Sequence, residues 1–444
     1  MNYEPNNPGP RTRNHEPQIM TRDKKLFAVG LITSLFFIWG FALNLNPILI
    51  PHLKKAFQLT TRQSSLVDVA AYIAYFLLPL PAAQFMKRFG YKGGILLGLV
   101  LVATGMFLFY PAAGVRNYPF FLIALFVMFS GSAFLETAAN PYITVLGDPA
   151  GATGRINLAQ SFNGLAAVSA GYIGRTFILS GITYTDKQEA AMSPSVLSAY
   201  LSKEASSVQM PFLITGLGVL IVAILIYRTS LPKIVEEGEG EELHERKPFW
   251  TRMGDLYAEK ELMSGVAAQF FYVGAQACVW GFFVLFAERV ANMDEKSASL
   301  FLIAGSACFM GGRFIGTMLM KLIAPVKLLA IYSFLNMILI GLAVLLHGKF
   351  PVYALLGVDF FMSIMFPTIF SLSIRGLGSK TKLGSSLVIM GFVGGAVIPP
   401  VMGKISDLSN IQLAYLVPVA CFAYIFYFAY RNLKVKKIEI VGAH

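Results

Sequence analysis

The stretch Phe134-Leu135-Glu136-Thr137-Ala138-Ala139-Asn140-Pro141-Tyr142 places one carboxylate inside one of the longest apolar runs of the chain, with no other ionisable group back to Pro119. If that run crosses a bilayer, Glu136 lies deep in hydrocarbon, where an ionised side chain costs about 3 kcal/mol by insertion scales and more by simulation. A group that expensive ordinarily serves a cavity or pathway; the bland alternative is a neutral acid bonded to a neighbouring helix. Outward from it the composition agrees with a membrane setting. The 444 residues are 56% hydrophobic and only 14% charged, too apolar for a pair of ordinary soluble domains.

Apolar runs of about 17 to 25 residues between polar breaks begin near Leu26, Ser64, Gly94, Phe120, Ile156, Val208, Met263, Ser297, Val326, Val352, Leu383 and Ile411. They predict an all-α membrane protein of twelve transmembrane helices. The net charge of +12 is dispersed among loops and forms no stripe, which argues against nucleic acid. With the amino terminus inside, the inner loops and tails hold about twice as many Lys and Arg as the outer ones, which predicts both termini on the cytoplasmic side of a multi-pass protein. Residues 1–25 read as a polar cytoplasmic tail before a retained first span, not as a signal peptide. Cys278, Cys308 and Cys421 each lie within an apolar run, without metal or disulfide spacing. No cofactor, metal or nucleotide loop is expected, and the five histidines pair with no nucleophile, so an enzyme is not expected either.

Several spans carry polar groups that lipid would reject. In span one, Trp39-Gly40-Phe41-Ala42-Leu43-Asn44-Leu45-Asn46-Pro47 joins two amides to a proline that frees the carbonyl of Leu43. That freed group must face protein or a wet cavity. The segment suits a polyol or a bare cation, or else a proline kink whose amides tie helices together. Asp68, Tyr72 and Tyr75 share one helical face of span two, where Asp68 lines a cavity or sits at the wet outer end. Asn157, Gln160 and Asn163 form a polar stripe on span five that should face inward. In the second half, Gln269, Gln276, Arg313, Asn336 and Asp359 are further intramembrane polar positions. Arg313 reads as neutralising an acid, bonding a substrate or snorkelling. Trp39, Trp280, Tyr272 and Phe366 offer flat faces to a sugar ring, although such aromatics are commonly core or belt.

The halves echo each other. Glu136 to Ile143 can be laid on Met362 to Ile369 with Pro141 over Pro367, Phe37-Ile38-Trp39-Gly40 on Phe271-Tyr272-Val273-Gly274, and Asn163-Gly164 on Met390-Gly391. A weak six-span repeat marks a transporter built from two related halves. Expected are a tail at 1–25, a six-helix bundle at 26–230, an acidic cytoplasmic linker at 231–260, a second bundle at 261–431 and a tail at 432–444. Since the repeat accepts methionine opposite Glu136 and Asn163, their polar versions point to ligands.

The strings Phe36-Phe37-Ile38-Trp39-Gly40-Phe41-Ala42, Leu135-Glu136-Thr137-Ala138-Ala139-Asn140-Pro141-Tyr142, Asn157-Leu158-Ala159-Gln160-Ser161-Phe162-Asn163, Tyr272-Val273-Gly274-Ala275-Gln276 and Phe366-Pro367-Thr368-Ile369-Phe370-Ser371-Leu372 resemble the fucose:proton symporter family of the major facilitator superfamily. The likeness runs from about residue 26 to about residue 430. It implies the major facilitator fold, two pseudo-symmetric six-helix bundles in a bacterial inner membrane, and cation-driven import of a monosaccharide such as L-fucose or a related hexose by alternating access. It also implies that Glu136 is the membrane carboxylate of sugar recognition and the proton cycle, that Gln160 and Asn163 contact sugar, and that Asn44 is a polar position of the first span. Asn140, Gln276, Trp39 and Trp280 complete the expected substrate set. Where the family has an aspartate in Asn-Asp-Ile-Leu-Ile-Pro, this chain reads Asn46-Pro47-Ile48-Leu49-Ile50-Pro51. Three accounts of coupling follow: Glu136 alone carries the proton, which leads; Asp68 takes over the lost acid's duty; or sodium is held by Asn44, Asn46 and the carbonyl freed by Pro47. The alternatives to proton-driven hexose import are a sodium-coupled carrier of hexose or N-acetylhexosamine and a sugar sensor that does not transport. A monomer is expected.

Overall fold

The computed structural model describes residues 22–60, 63, 66–146, 148–173, 176, 178, 188, 191–229, 231 and 248–441. The expected tail at 1–21, most of the acidic linker (232–247), residues 442–444 and the side chains of Asn46 and Pro47 lie outside the described residues.

Among the described residues the chain is helical: α1 Arg22–Asn44, α2 Asn46–Ala56, α3 Leu66–Leu77, α4 Pro79–Gly114, α5 Tyr118–Val145, α6 Ala152–Ile173, α7 Pro194–Ser206, α8 Gln209–Arg228 and α9 Phe249–Tyr257. The second half follows with α10 Lys260–Gly281, α11 Phe283–Ala291, α12 Glu295–Leu319, α13 Pro325–Leu345, α14 Phe350–Met362, α15 Met365–Ser373, α16 Thr381–Met390, α17 Gly394–Leu408, α18 Ile411–Ala414 and α19 Leu416–Val441. Of these described helices, 9 segments are long and apolar enough to cross a membrane. Two shorter apolar helices, Val29–Asn44 and Leu66–Leu77, stand where spans one and two are expected. Span five is present as α6, and its amide stripe, with Arg155, keeps its hydropathy low.

Several breaks have simple causes. Pro79 opens α4 directly after Leu78, yet Leu78 N–H still donates to Ala74 O at 2.9 Å and Ala82 N–H to Leu78 O at 2.9 Å, so α3 and α4 meet as a kink. Gly90, at φ 72°, bends the basic loop Lys87–Lys92 in a conformation that disfavours residues with a Cβ. Arg155 closes the end of α5 by donating to the carbonyls of Ile143 at 3.2 Å and Thr144 at 2.7 Å, a cation placed on orphan helix carbonyls. Lys92 does the same for α8, reaching Tyr227 O at 2.8 Å and Thr229 O at 2.9 Å.

In the first half α5 packs against α1, α3, α4 and α6, and its residues from Ser130 to Thr144 are all buried. In the second half α10 is the hub, against α15, α16, α17 and α19, while α14 packs on α12 and α13. The halves meet through α6 with α12 and α15, and through α16 with α4 and α5. At one end of this seam Thr153 Oγ1 lies 2.9 Å from Ser371 Oγ, and Asn157 Nδ2 donates to Thr368 Oγ1 at 3.2 Å. Nearby the Lys382 ammonium stands 5.3 Å from the Tyr91 ring centroid.

Candidate functional site

Glu136 is 2% exposed, and the elements that bury it explain its surroundings. From α1 the fully buried Trp39 brings its indole towards the carboxyl, and from α3 Tyr75 brings its hydroxyl. The Trp39 Nε1, Tyr75 Oη and Glu136 Oε2 atoms nevertheless have no hydrogen-bond partner in good geometry. Two donors thus stand at an acid without closing on it. Among the described residues no Lys, Arg or His nitrogen forms an ion pair with Glu136.

One turn further along α5, Asn140 Oδ1 accepts from Gln160 Nε2 at 3.2 Å, and the Asn140 amide nitrogen is left unpartnered. Asn163, one turn beyond Gln160 on α6, lies against Gly40. A Cβ at Gly40 would stand 2.7 Å from Asn163 Cγ, so only glycine lets α1 and α6 approach this closely. Asn44, one turn on from Gly40, donates to the Gly40 carbonyl at 2.6 Å. Trp39, Glu136, Asn140, Gln160, Asn163 and Asn44 therefore form one contiguous set on three helices. Asn44 and Asn163 are half-buried, and the deeper members are closed off in this conformation.

Asp68 and Trp280, also expected in the site, have other neighbours. Asp68, half-buried, interacts with Tyr72. It lies seven residues before Tyr75 on α3, about 10 Å along the axis. Tyr72 lies against Gly395 of α17. The structure thus divides the face read as Asp68-Tyr72-Tyr75: only Tyr75 reaches Glu136. Gln276 and Trp280 on α10 are half-buried. Trp280 Nε1 donates to Asp359 Oδ1 at 2.9 Å, so its polar edge is already engaged.

Arg313 on α12 is 5% exposed, so it does not snorkel, and among the described residues it pairs with no acid. Its Nε donates at 2.9 Å to Ser363 O, the carbonyl that Pro367, four residues on, cannot engage. Its Nη1 donates at 2.7 Å to Gln160 O in the other half, and its guanidinium lies 4.6 Å from the Phe309 ring centroid. The aromatic seam beside the site was only partly visible in sequence. Tyr75 stacks on Phe392 with centroids 4.4 Å apart, Phe392 meets Phe366 at 5.5 Å, and Phe366 meets Tyr272 at 6.3 Å. Phe392, which joins the halves, carries no sequence signal beyond an apolar ring in an apolar run.

A helical membrane protein whose halves meet beside a buried acid, with amides one turn further along, has the architecture of a carrier. The model of the Major Facilitator Superfamily matches residues 30–399, and the chain belongs to that superfamily. It is 42% identical over 403 residues to the L-fucose-proton symporter of Escherichia coli (strain K12), covering 90% of this chain and 92% of that one. It is 40% identical over 404 residues to the glucose/galactose transporter of Brucella abortus biovar 1 (strain 9-941), covering 90% and 93%. Among solved structures it is similar to the superfamily transporter FucP in the outward conformation, with a TM-score of 0.85 and 41% identity over 91% of this chain and 98% of that one.

Proposed function

We propose that this chain is a proton-coupled symporter that imports a monosaccharide, L-fucose or a related hexose, by alternating access between bundles at 26–230 and 261–431. The observation that carries the reading is Glu136, an acid without a cation partner among the described residues, facing Trp39 and Tyr75 and continuous with the amides of Asn140, Gln160 and Asn163. Protonation removes a charge that would be costly to carry through a dry barrier, and amides bond sugar hydroxyls as donor and acceptor at once. The relatives named as sugar transporters support the substrate class.

The seam at Thr153–Ser371 and Asn157–Thr368 lies beside the loops assigned to the cytoplasmic side. We read the conformation as sealed towards the cytoplasm, in a bacterial inner membrane with both termini inside. Proton coupling is favoured over sodium because the Escherichia coli relative is named an L-fucose-proton symporter. The test is uptake into proteoliposomes of L-fucose, D-galactose, D-glucose, D-mannose and N-acetylglucosamine under separate proton and sodium gradients. Accumulation of one hexose driven by the proton gradient alone supports the reading; accumulation that requires sodium overturns the coupling, and binding without counterflow overturns transport.

A further inference from the structure

The second half contains a buried acid that the mechanism above does not use. Asp359 on α14 is 0% exposed. Its Oδ1 accepts from the Trp280 indole at 2.9 Å, and its Oδ2 has no partner. That second oxygen is aimed at the backbone of α12 at Gly305, where any side chain would collide with it. The titratable groups facing it are Tyr272 from α10, Cys308 from α12 and Tyr415 from the start of the last span. Arg313 faces Tyr272 as well and donates to Ser363 O and Gln160 O. On α13, Lys327 is exposed and Tyr332 packs on Phe360 and Phe361. Among the described residues, therefore, no cation pairs with Asp359.

One neutral donor is poor compensation for a buried carboxylate, whose ionised form requires a counter-charge or several hydrogen bonds. The arrangement also repeats the first half in outline. There the first helix offers Trp39 to Glu136 on α5; here α10 offers Trp280 to Asp359 on α14. From these contacts we propose that Asp359 is a second proton-binding site of this protein, housed in the second half and reported by Trp280. The proton binds at Oδ2, the oxygen that the indole leaves unoccupied. The Trp280 ring also meets Phe309 edge-on at 5.2 Å, and Phe309 underlies the Arg313 guanidinium, so the site adjoins a residue that bonds across the halves.

The test needs no transport, so its failure is separate from failure of the symporter reading. Of the three tryptophans, Trp39 and Trp250 are changed to phenylalanine, and Trp280 emission is followed across the pH range in which the purified protein stays folded. A sigmoidal shift is expected as the carboxyl beside the indole N–H loses its proton. It is lost in Asp359→Asn and kept in Glu136→Gln. A flat profile, or one unchanged by Asp359→Asn, overturns the proposal. If Asp359→Asn does not purify as a monodisperse species, the single-tryptophan protein carrying both Glu136→Gln and Cys308→Ala decides: a persisting shift supports Asp359, and its disappearance overturns it.

Discussion

Replacing Thr153 and Thr368 together by valine removes the polar clasp at one end of the seam while keeping side-chain shape. Thr153 loses its 2.9 Å contact with Ser371, and Thr368 no longer accepts from Asn157. Such a bond contributes about 1 kcal/mol net. Asn157 retains its second bond, to Thr153 O at 2.8 Å, so its loss falls at the low end. The sum is about 1.5 to 2 kcal/mol, or roughly a 10- to 30-fold shift of the equilibrium away from the state closed at this end. Spin labels at the exposed positions Ala150 and Arg375, on a background lacking the native cysteines, would read it by pulsed dipolar spectroscopy. The short-distance population is expected to fall. A distance distribution identical to that of the parent would show that these two bonds do not hold the seam.

Two further outcomes follow from close packing. Gly40→Ala pushes Asn163 off α1, since the new Cβ falls 2.7 Å from Asn163 Cγ; overpacking of this kind costs about 1 to 3 kcal/mol, and weaker sugar binding with a lower thermal midpoint is expected by calorimetry. Arg313→Met strands the Ser363 carbonyl, an unmet acceptor worth about 1 to 3 kcal/mol, and removes the link to Gln160; a variant that melts at the parent temperature would refute that role.

The helical membrane architecture was legible because hydropathy and span length are local properties. Where the pattern departs from a plain apolar span, polar groups and proline are the cause: the amides at Asn157, Gln160 and Asn163 depress the hydropathy of α6, and the Asn44–Pro47 segment cuts span one into α1 and α2. Glu136, Gln160 and Asn163 were visible as polar groups in apolar runs, and the structure joins them. The engagement of Trp280 with Asp359, 79 positions apart, could not be read from spacing, since it depends on how α10 sits beside α14. Of the three readings of Arg313, as neutralising an acid, bonding a substrate or snorkelling, none anticipated that its donors would meet backbone carbonyls, one of them freed by Pro367.

The most direct test of the proposed coupling is Glu136→Gln in proteoliposomes. The substitution keeps the size of the side chain and its place beside Trp39 and Tyr75 but cannot gain or lose a proton. Counterflow of labelled sugar at equal concentrations is expected to persist, while accumulation driven by a pH gradient is lost. Accumulation to the parent level with the pH gradient as the only driving force would contradict the assignment.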